Sequence, residues 1–594
     1  MDSASPLSPE TAQGIVRKIL SGPTFAAAPR LSRLLEACVA GSALDDEQRG
    51  DLKRLARKLE DYYSAEGVSD PVRVSVSQSD GSVRWDIRDA SVNSAAWIPP
   101  EPVAPAPAKT SWIPYAVGVF LLLTMGAWWY TRTPSIAPGE IKTLAVLPFE
   151  DSRTLREHDG MVDGLGASLA RVLSHVDGLR VPEYSSSSQY KFRLREMSDL
   201  KSKLGADGIV EGSIRVTASD IEGELWMRRT SDGARLWHAP FRAPRGNLLV
   251  EIDRHAEEIA KLLGKSLPSR ALNGDSRAPA DSVVGYLRAI ANSQESPKEM
   301  EKAYRTLEEV EKAAPKFASA ASALAEMWAR ITVFEYRPIA EAAAKTKESA
   351  AKALALSPES AEAHVALGAV AADGNWDWGT ARKEFETALR LRPSYAFALN
   401  RLAHLDEAEG RPKEALAKMR AAHALDPFRP SMNFDLGYSR VFNREYDEAL
   451  RLMEAYEKQD PYHNSIRFVR GLAYFGKGNW AAVESHVRPL EKEEGFEPPA
   501  LSILGVNHAR AGRRADAIAV LKRLDELDKL TPIDAVIRAG IQFALGQTDE
   551  GFRSLNRAAD KRSPLLLTLR VNPLFDGVRG DPRYQALVNR LTLK

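Results

Sequence analysis

Cysteine is all but missing from this chain: Cys38 is the single thiol in 594 residues. That excludes an intramolecular disulfide framework and any site built from several thiolates, and leaves Cys38 as a small buried apolar residue on a helix. A dominant sign of charge is missing too. Lysine and arginine total 81 against 80 acidic residues, a formal net charge of +1, so no global field draws the molecule to nucleic acid or anionic lipid. The 10 histidines form no H-E-x-x-H pair, and neither a G-x-S-x-G elbow, a G-x-x-x-x-G-K-[ST] loop nor a G-x-G-x-x-G turn after a strand occurs. Asp163, Asp207 and Glu211 read as capping or solvated carboxylates rather than metal ligands. The sequence therefore assigns no catalytic residue, no metal ligand and no cofactor, and the chain reads as a non-enzyme.

What is present in abundance is helical periodicity punctuated by proline. Pro315, Pro358, Pro393, Pro427, Pro461, Pro498, Pro532 and Pro564 each close an alanine- and leucine-rich segment, at intervals close to the 34-residue period of paired-helix repeats. Within the periods, Leu367-Gly368 precedes Ala381, Phe385 and Ala388, and Leu436-Gly437 precedes Ala449, Met453 and Tyr456. Small residues at close crossings and large ones between pairs resemble the tetratricopeptide repeat, in which two antiparallel helices bury one face by stacking on the next pair. The repeats are assigned to 283–564, after a linker at 266–282 and before a C-terminal cap at 565–594. By the repeat register the first helices line a groove with Glu362, Val365, Phe397, Asn400, His404, Phe434, Tyr438, Phe468 and Leu472. Aromatic, apolar and amide groups together suit an extended protein or peptide partner.

Ahead of the repeats, residues 141–265 alternate strand-like and helix-like stretches, as an α/β layer does. The landmarks LAVLPF (144–149), DGL (163–165), GLRV (178–181), LGADGIVEGSIR (204–215) and ARLW (234–237) resemble the TolB-like amino-terminal domain that commonly precedes tetratricopeptide repeats. The resemblance implies docking and assembly.

From Trp112 to Tyr130 the chain runs without a charge and carries aromatics at both ends, which matches the length and flanks of a membrane-crossing helix. The span is set at 112–131, behind a Pro/Ala-rich linker at 91–111. Flanking charge does not decide its orientation. The lone cysteine on the amino-terminal side leads to a single-pass bacterial inner-membrane protein with a cytoplasmic head and a periplasmic C-terminal region.

Residues 8–90 form the head. Leu52, Leu55, Leu59 and Tyr62 share one helical face, and Val72, Val74, Val76 and Val83, Trp85, Ile87 alternate about Asp80-Gly81, a tight hairpin signal. The run LKRLARKLEDYYSAEGVSDPVRV (52–74) resembles the winged-helix-like domain found ahead of bacterial transmembrane tetratricopeptide proteins. In such domains the basic helix enters the major groove, which implies Arg49, Lys53, Arg54, Arg57 and Lys58 as DNA-contacting residues. The acidic residues of the head nearly match its basic ones in number, which weakens phosphate binding.

The expected fold class is thus multidomain: a small α+β winged-helix-like head, one transmembrane helix, a TolB-like α/β domain and an all-α tetratricopeptide solenoid. The expected function is a membrane-anchored repeat protein mediating protein-protein interaction in signalling or assembly. The alternative is a membrane-tethered transcriptional regulator with a DNA-binding head and an extracytoplasmic sensor region.

Overall fold

The computed structural model describes residues 7–88, except 8, 27, 66, 68, 69, 71 and 78, and residues 139–592, except 152–158, 193–195, 218, 219, 273–277, 292–295, 335, 494 and 531. The chain divides into two compact units, Met1–Leu123 and Thr124–Lys594.

The first unit contains helices α1 (Pro9–Ser21), α2 (Pro23–Ala26), α3 (Pro29–Val39) and α4 (Asp46–Ala65), then strands β1 (Val72–Val76) and β2 (Val83–Ile87). The strands pair antiparallel with Val74 opposite Trp85, and Gly81 takes the positive φ, +76°, that the tight turn requires. Leu52, Leu55, Leu59 and Tyr62 are buried together with Leu35, Cys38 and Val72. Burial pushes the Cys38 thiol up. The hydroxyl of Tyr62 donates to Asp70, 3.0 Å away, and Lys18 pairs with the other oxygen of that carboxylate at 2.5 Å.

The second unit begins with a five-stranded sheet. Strand β5 (Gly208–Val216) pairs parallel with β3 (Leu144–Val146) and β4 (Glu150–Asp151), and the antiparallel strands β6 (Asp220–Arg229) and β7 (Arg235–Pro244) complete it. Helix α5 (Asp159–Leu173) lies on the sheet, α6 (Tyr184–Ser187) and α7 (Met197–Lys203) connect onward, and α8 (Leu248–Leu262) follows β7. Residues 179–182 form no named strand and make a single parallel bridge, Arg180 to Thr143.

Eight helix pairs come next: α9 (Ala280–Ile290) with α10 (Pro297–Ala313), α11 (Ala318–Val333) with α12 (Ile339–Leu356), α13 (Ala361–Ala369) with α14 (Trp378–Leu391), α15 (Ala396–Ala408) with α16 (Pro412–Leu425), α17 (Pro430–Phe442) with α18 (Tyr446–Glu457), α19 (Asn464–Gly476) with α20 (Trp480–Val487), α21 (Glu497–Arg510) with α22 (Arg514–Asp528), and α23 (Ala535–Ala544) with α24 (Thr548–Asp560). This is a tetratricopeptide-like solenoid. The periodic prolines fall at or just before the starts of helices, where a missing N–H costs nothing. Close crossing depends on small residues: a Cβ on Gly368 would come 2.5 Å from the ring of Phe385. After α24, two 3-10 turns, Pro564–Thr568 and Pro573–Val578, lead to α25 (Pro582–Thr592), whose Tyr584, Leu587, Val588 and Leu591 share a core with Phe552 and Leu555.

The structure corrects two expectations. Among the described residues no helix is long and apolar enough to cross a membrane, so the single-span fold class and the inner-membrane placement derived from it are withdrawn. Residues 112–130, on which the span was read, lie outside the described residues. The physical reason is that a crossing needs about 20 apolar residues in one helix. The longest described helices, α4 and α12, are interrupted by charges such as Lys53, Arg57, Lys347 and Lys352.

Candidate functional site

Each second-helix-to-first-helix turn sets the start of the next first helix, so residues one repeat apart come side by side. Asn400 of α15 donates through Nδ2 to Asp435 of α17 at 2.8 Å, a separation of one period. Phe434 and Phe468 are likewise one period apart, and their ring centroids lie 6.0 Å from each other. Tyr438 stacks on Phe434 at 5.4 Å and lies 6.2 Å from Phe468, and Phe468 meets Phe496 at 6.1 Å. All four rings are only partly buried. They make one aromatic run along α17, α19 and the start of α21.

Beside this run sits a charged group. His404 faces Glu407 at 3.1 Å through Nδ1 and Asp435 at 3.5 Å through Nε2. Arg401 donates to both oxygens of Asp373, at 2.8 and 2.9 Å. Asp373 comes from a wider π turn, Val370–Asn375, that ends α13. Burial disfavours the imidazolium, but Asp435 and Glu407 outweigh it and hold His404 at about 10. A folded-state value raised above the ordinary 6.5 stabilises fully below the unfolded value and loses that contribution as pH rises toward the folded one. The urea midpoint of the wild type is therefore expected to fall more between pH 7 and pH 10 than that of His404→Gln, the variant itself costing about 1–3 kcal/mol at pH 7. Equal pH dependence in the two proteins would show that the imidazolium is not held there.

The segment after the last pair returns to this region. Arg444 donates to the carbonyl of Val571 at 2.8 Å and to Asp576 at 2.7 and 2.9 Å. Thr568 lies beside Tyr438. Residues 564–578 thus border the inner face as well as covering the last pair.

The other sequence-predicted groove residues go elsewhere. Val365 and Leu472 are packed in the core, and Phe397 lies under the Arg330 guanidinium, 4.3 Å from its ring centroid. Glu362 faces the α/β layer, 3.7 Å from Arg171 of α5 and 3.6 Å from Arg392. That layer is fixed to the edge of the array by buried polar contacts. Arg392 donates to Ser174 at 2.7 Å and to Glu183 at 3.3 and 3.4 Å. Ser185 donates to Asp426 at 2.7 and 2.8 Å, and Ser394 donates to the carbonyl of Leu179 at 3.0 Å. A cavity of about 150 Å³ lies between α5 and the first pairs, with Glu183, Glu326, Glu362, Arg171, Arg330 and Arg392 in its wall.

In the head, Arg49, Lys53, Arg54 and Arg57 are exposed on α4 and Lys58 is partly so. Arg54 pairs with Asp51 at 3.2 Å, which also takes Arg30 at 2.6 Å. The three carboxylates considered in the α/β layer are all engaged. Asp163 pairs with Lys191 at 2.7 Å, Asp207 accepts from the N–H groups of Lys142 and Thr143, and Glu211 accepts from the indole of Trp226 at 2.7 Å. Among the described residues no group of three or more His, Cys, Asp or Glu side chains is arranged for a metal ion.

The register missed Asp373, Arg401, Glu407, Asp435 and Phe496. Asp435 was accessible in principle, because it lies one period after Asn400. Asp373 was not, because the π turn breaks the register.

No family model matches the chain. A curated protein, "Putative adenylate cyclase 3" of Rhizobium meliloti (strain 1021), is 29% identical over 133 residues, which is 22% of this chain and 22% of that protein. The chain thus matches about a fifth of that relative's length. Among solved structures, PilW, a type IV pilus biogenesis factor, is 18% identical with a TM-score of 0.30, covering 38% of this chain and 100% of that one. A tetratricopeptide repeat protein from Parabacteroides merdae ATCC 43184 is 15% identical with a TM-score of 0.31, covering 42% of this chain and 99% of that one. Yeast Tom70 is 16% identical with a TM-score of 0.31, covering 53% and 67%. Likeness of this degree decides nothing about partner or activity; the repeat architecture rests on the helix pairs themselves.

Proposed function

We propose that this chain is a protein-interaction scaffold whose repeat array holds an extended segment of another protein along α15, α17 and α19, serving signalling or assembly. The observation that carries this reading is the aromatic run Phe434, Tyr438, Phe468 and Phe496, partly buried and contiguous across successive first helices. Aromatic side chains of this kind supply large contact area for little ordering cost and dominate binding energies. The α/β layer grips the turns before α15 and α17 through Ser394 and Asp426, and the aromatic run begins further along α17. A TolB-like docking role for 141–265 fits that arrangement, as does the division into a head at 8–90, repeats at 283–564 and a cap at 565–594.

A DNA-binding role for the head is not favoured. Phosphate binding depends on unneutralised cations, and on α4 the Arg54 side chain already pairs with Asp51. Catalysis is not favoured either: a match to a fifth of a cyclase-named protein does not bring that protein's activity with it.

The test is selection of peptides from a displayed random library on the full-length protein. Selected peptides are expected to lose at least tenfold in affinity to a Phe434→Ala/Phe468→Ala double variant, about 1.4 kcal/mol or more, with unchanged circular dichroism. Peptides that bind wild type and double variant alike place the site elsewhere.

A further inference from the structure

We propose that the turn between α18 and α19, at Asp460 and Tyr462, is a second docking point, separate from the inner face. It receives a hydroxyl-bearing turn of another protein in the way the preceding turns of the array receive the α/β layer. Ser394, Phe428 and Tyr462 follow one another at the 34-residue period, each in a turn that leads into a first helix. The first two are covered. Ser394 donates to the carbonyl of Leu179 and accepts from the N–H of Val181 at 3.2 Å. Phe428 donates its N–H to the hydroxyl of Ser186 at 3.1 Å and meets the ring of Tyr190 at 6.0 Å, while Asp426 accepts from the hydroxyls of Ser185 and Ser186. The third is open: Tyr462 is 92% exposed.

A single exposed aromatic is ordinary, but the turn around Tyr462 repeats the occupied one. The N–H of Asp426 donates to the carbonyl of Ala422 at 3.1 Å, and that of Arg429 to the carbonyl of Asp426 at 3.4 Å; one period on, Asp460 donates to Tyr456 at 3.0 Å and His463 to Asp460 at 3.4 Å. Stacked repeats reproduce position along with conformation, so the Asp460 carboxylate and the Tyr462 N–H and ring continue the interface that Asp426 and Phe428 make. Among the described residues the Asp460 carboxylate has no hydrogen bond or ion pair, and the Tyr462 N–H has no acceptor. Two periods after Asp460 the pattern is spent internally: Asp528 accepts from the N–H of Ile533 and pairs with Arg538 at 3.0 Å.

These groups select the occupant. A carboxylate asks for a donor and the N–H two residues on asks for an acceptor, and at the preceding turn the hydroxyl of Ser186 answers both from one oxygen. Lysine and arginine only donate and an ionised carboxylate only accepts, so a serine or threonine is the fitting side chain. Tyr190, four residues after Ser186, covers the Phe428 ring, which calls for an aromatic at the same spacing to cover Tyr462. The chain's own segment of this kind is already engaged, with Ser186 buried, so the occupant comes from a different protein rather than from a second folded copy.

The experiment uses the full-length protein and, as probe, an acetylated and amidated peptide of residues 183–190, EYSSSSQY, followed by saturation-transfer NMR. Saturable binding is expected, weakened at least tenfold in Tyr462→Ala and in Asp460→Ala, with unchanged circular dichroism, and retained in Tyr462→Phe, which supplies the ring found at 428. Peptides carrying Ser186→Ala or Tyr190→Ala are expected to bind at least tenfold more weakly. Absence of saturable binding, full retention in both alanine variants, or equal binding of the substituted peptides overturns the proposal. Self-association of the protein that Tyr462→Ala abolishes would assign the turn to a second copy and overturn it as well. The Phe434→Ala/Phe468→Ala variant is expected to bind the probe as wild type does. If that variant loses the probe while Tyr462→Ala keeps it, this docking point fails and the inner-face reading stands; if library-selected peptides ignore the aromatic run, the inner-face reading fails, whatever the probe does at Tyr462.

Discussion

Arg392→Ala is expected to destabilise the second unit by about 3–5 kcal/mol, the range for removing one partner of a buried ion pair. Arg392 sits in the turn between α14 and α15 and is 5% exposed. Its guanidinium serves Ser174 and Glu183 of the α/β layer and Glu362 of the array, and it lies 4.2 Å above the ring centroid of Tyr395. Burial raises the Glu183 carboxyl and Arg392 opposes that rise. Without the arginine, two carboxylates stay buried with less positive charge beside them, and the layer loses its polar anchor. Urea denaturation followed by circular dichroism is expected to show a lower midpoint and to split into two transitions as layer and array part. Arg392→Lys keeps the charge but not the planar fork, so an intermediate loss is expected. A single transition with an unchanged midpoint would mean that the contact carries no stability.

Gly164→Ala is the second large effect, and its sign is informative. In an open helix this change stabilises by about 1 kcal/mol. Here a Cβ would stand 2.2 Å from the carbonyl oxygen of Leu287 and 2.5 Å from its carbon, because α5 crosses α9 backbone to backbone at that point. Overpacking of this kind costs about 1–3 kcal/mol, and backbone atoms cannot step aside as a flexible side chain can. The control lies one turn earlier on the same helix. A Cβ on Gly160 would meet only Arg288 Cγ, at 3.6 Å, so Gly160→Ala is expected to be neutral or stabilising. If both variants gain stability in the same denaturation assay, α5 and α9 do not pack as described.

The repeat architecture was legible because stacking imposes a local period: each pair buries one face against its neighbour, and proline marks each restart. Pro393 and Pro427 fall in the turns before α15 and α17 as the spacing requires. The docking of the α/β layer was not legible. Its contacts join residues far apart in the chain, such as Glu183 with Arg392, 209 positions on, and Ser185 with Asp426, 241 positions on, and no periodicity records such pairings. The same contacts explain the fate of Glu362, which the register places on the inner face and the structure turns toward Arg171 and Arg392. The site itself was half readable. Asn400, His404, Phe434, Tyr438 and Phe468 came from the register, while the acid that meets Arg401 depends on the π turn before Trp376 and one of those that face His404 comes from the neighbouring helix. The apolar run at 112–130 shows the limit of hydropathy: composition counts apolar residues without establishing a spanning helix.

The most direct measurement is hydrogen exchange of the full-length protein with and without a peptide selected on it. Slowed exchange in α17 and α19, with the second helices α18 and α20 unchanged, is the predicted result. Protection confined to the head or to the α/β layer, with α17 and α19 unaltered, would contradict the account.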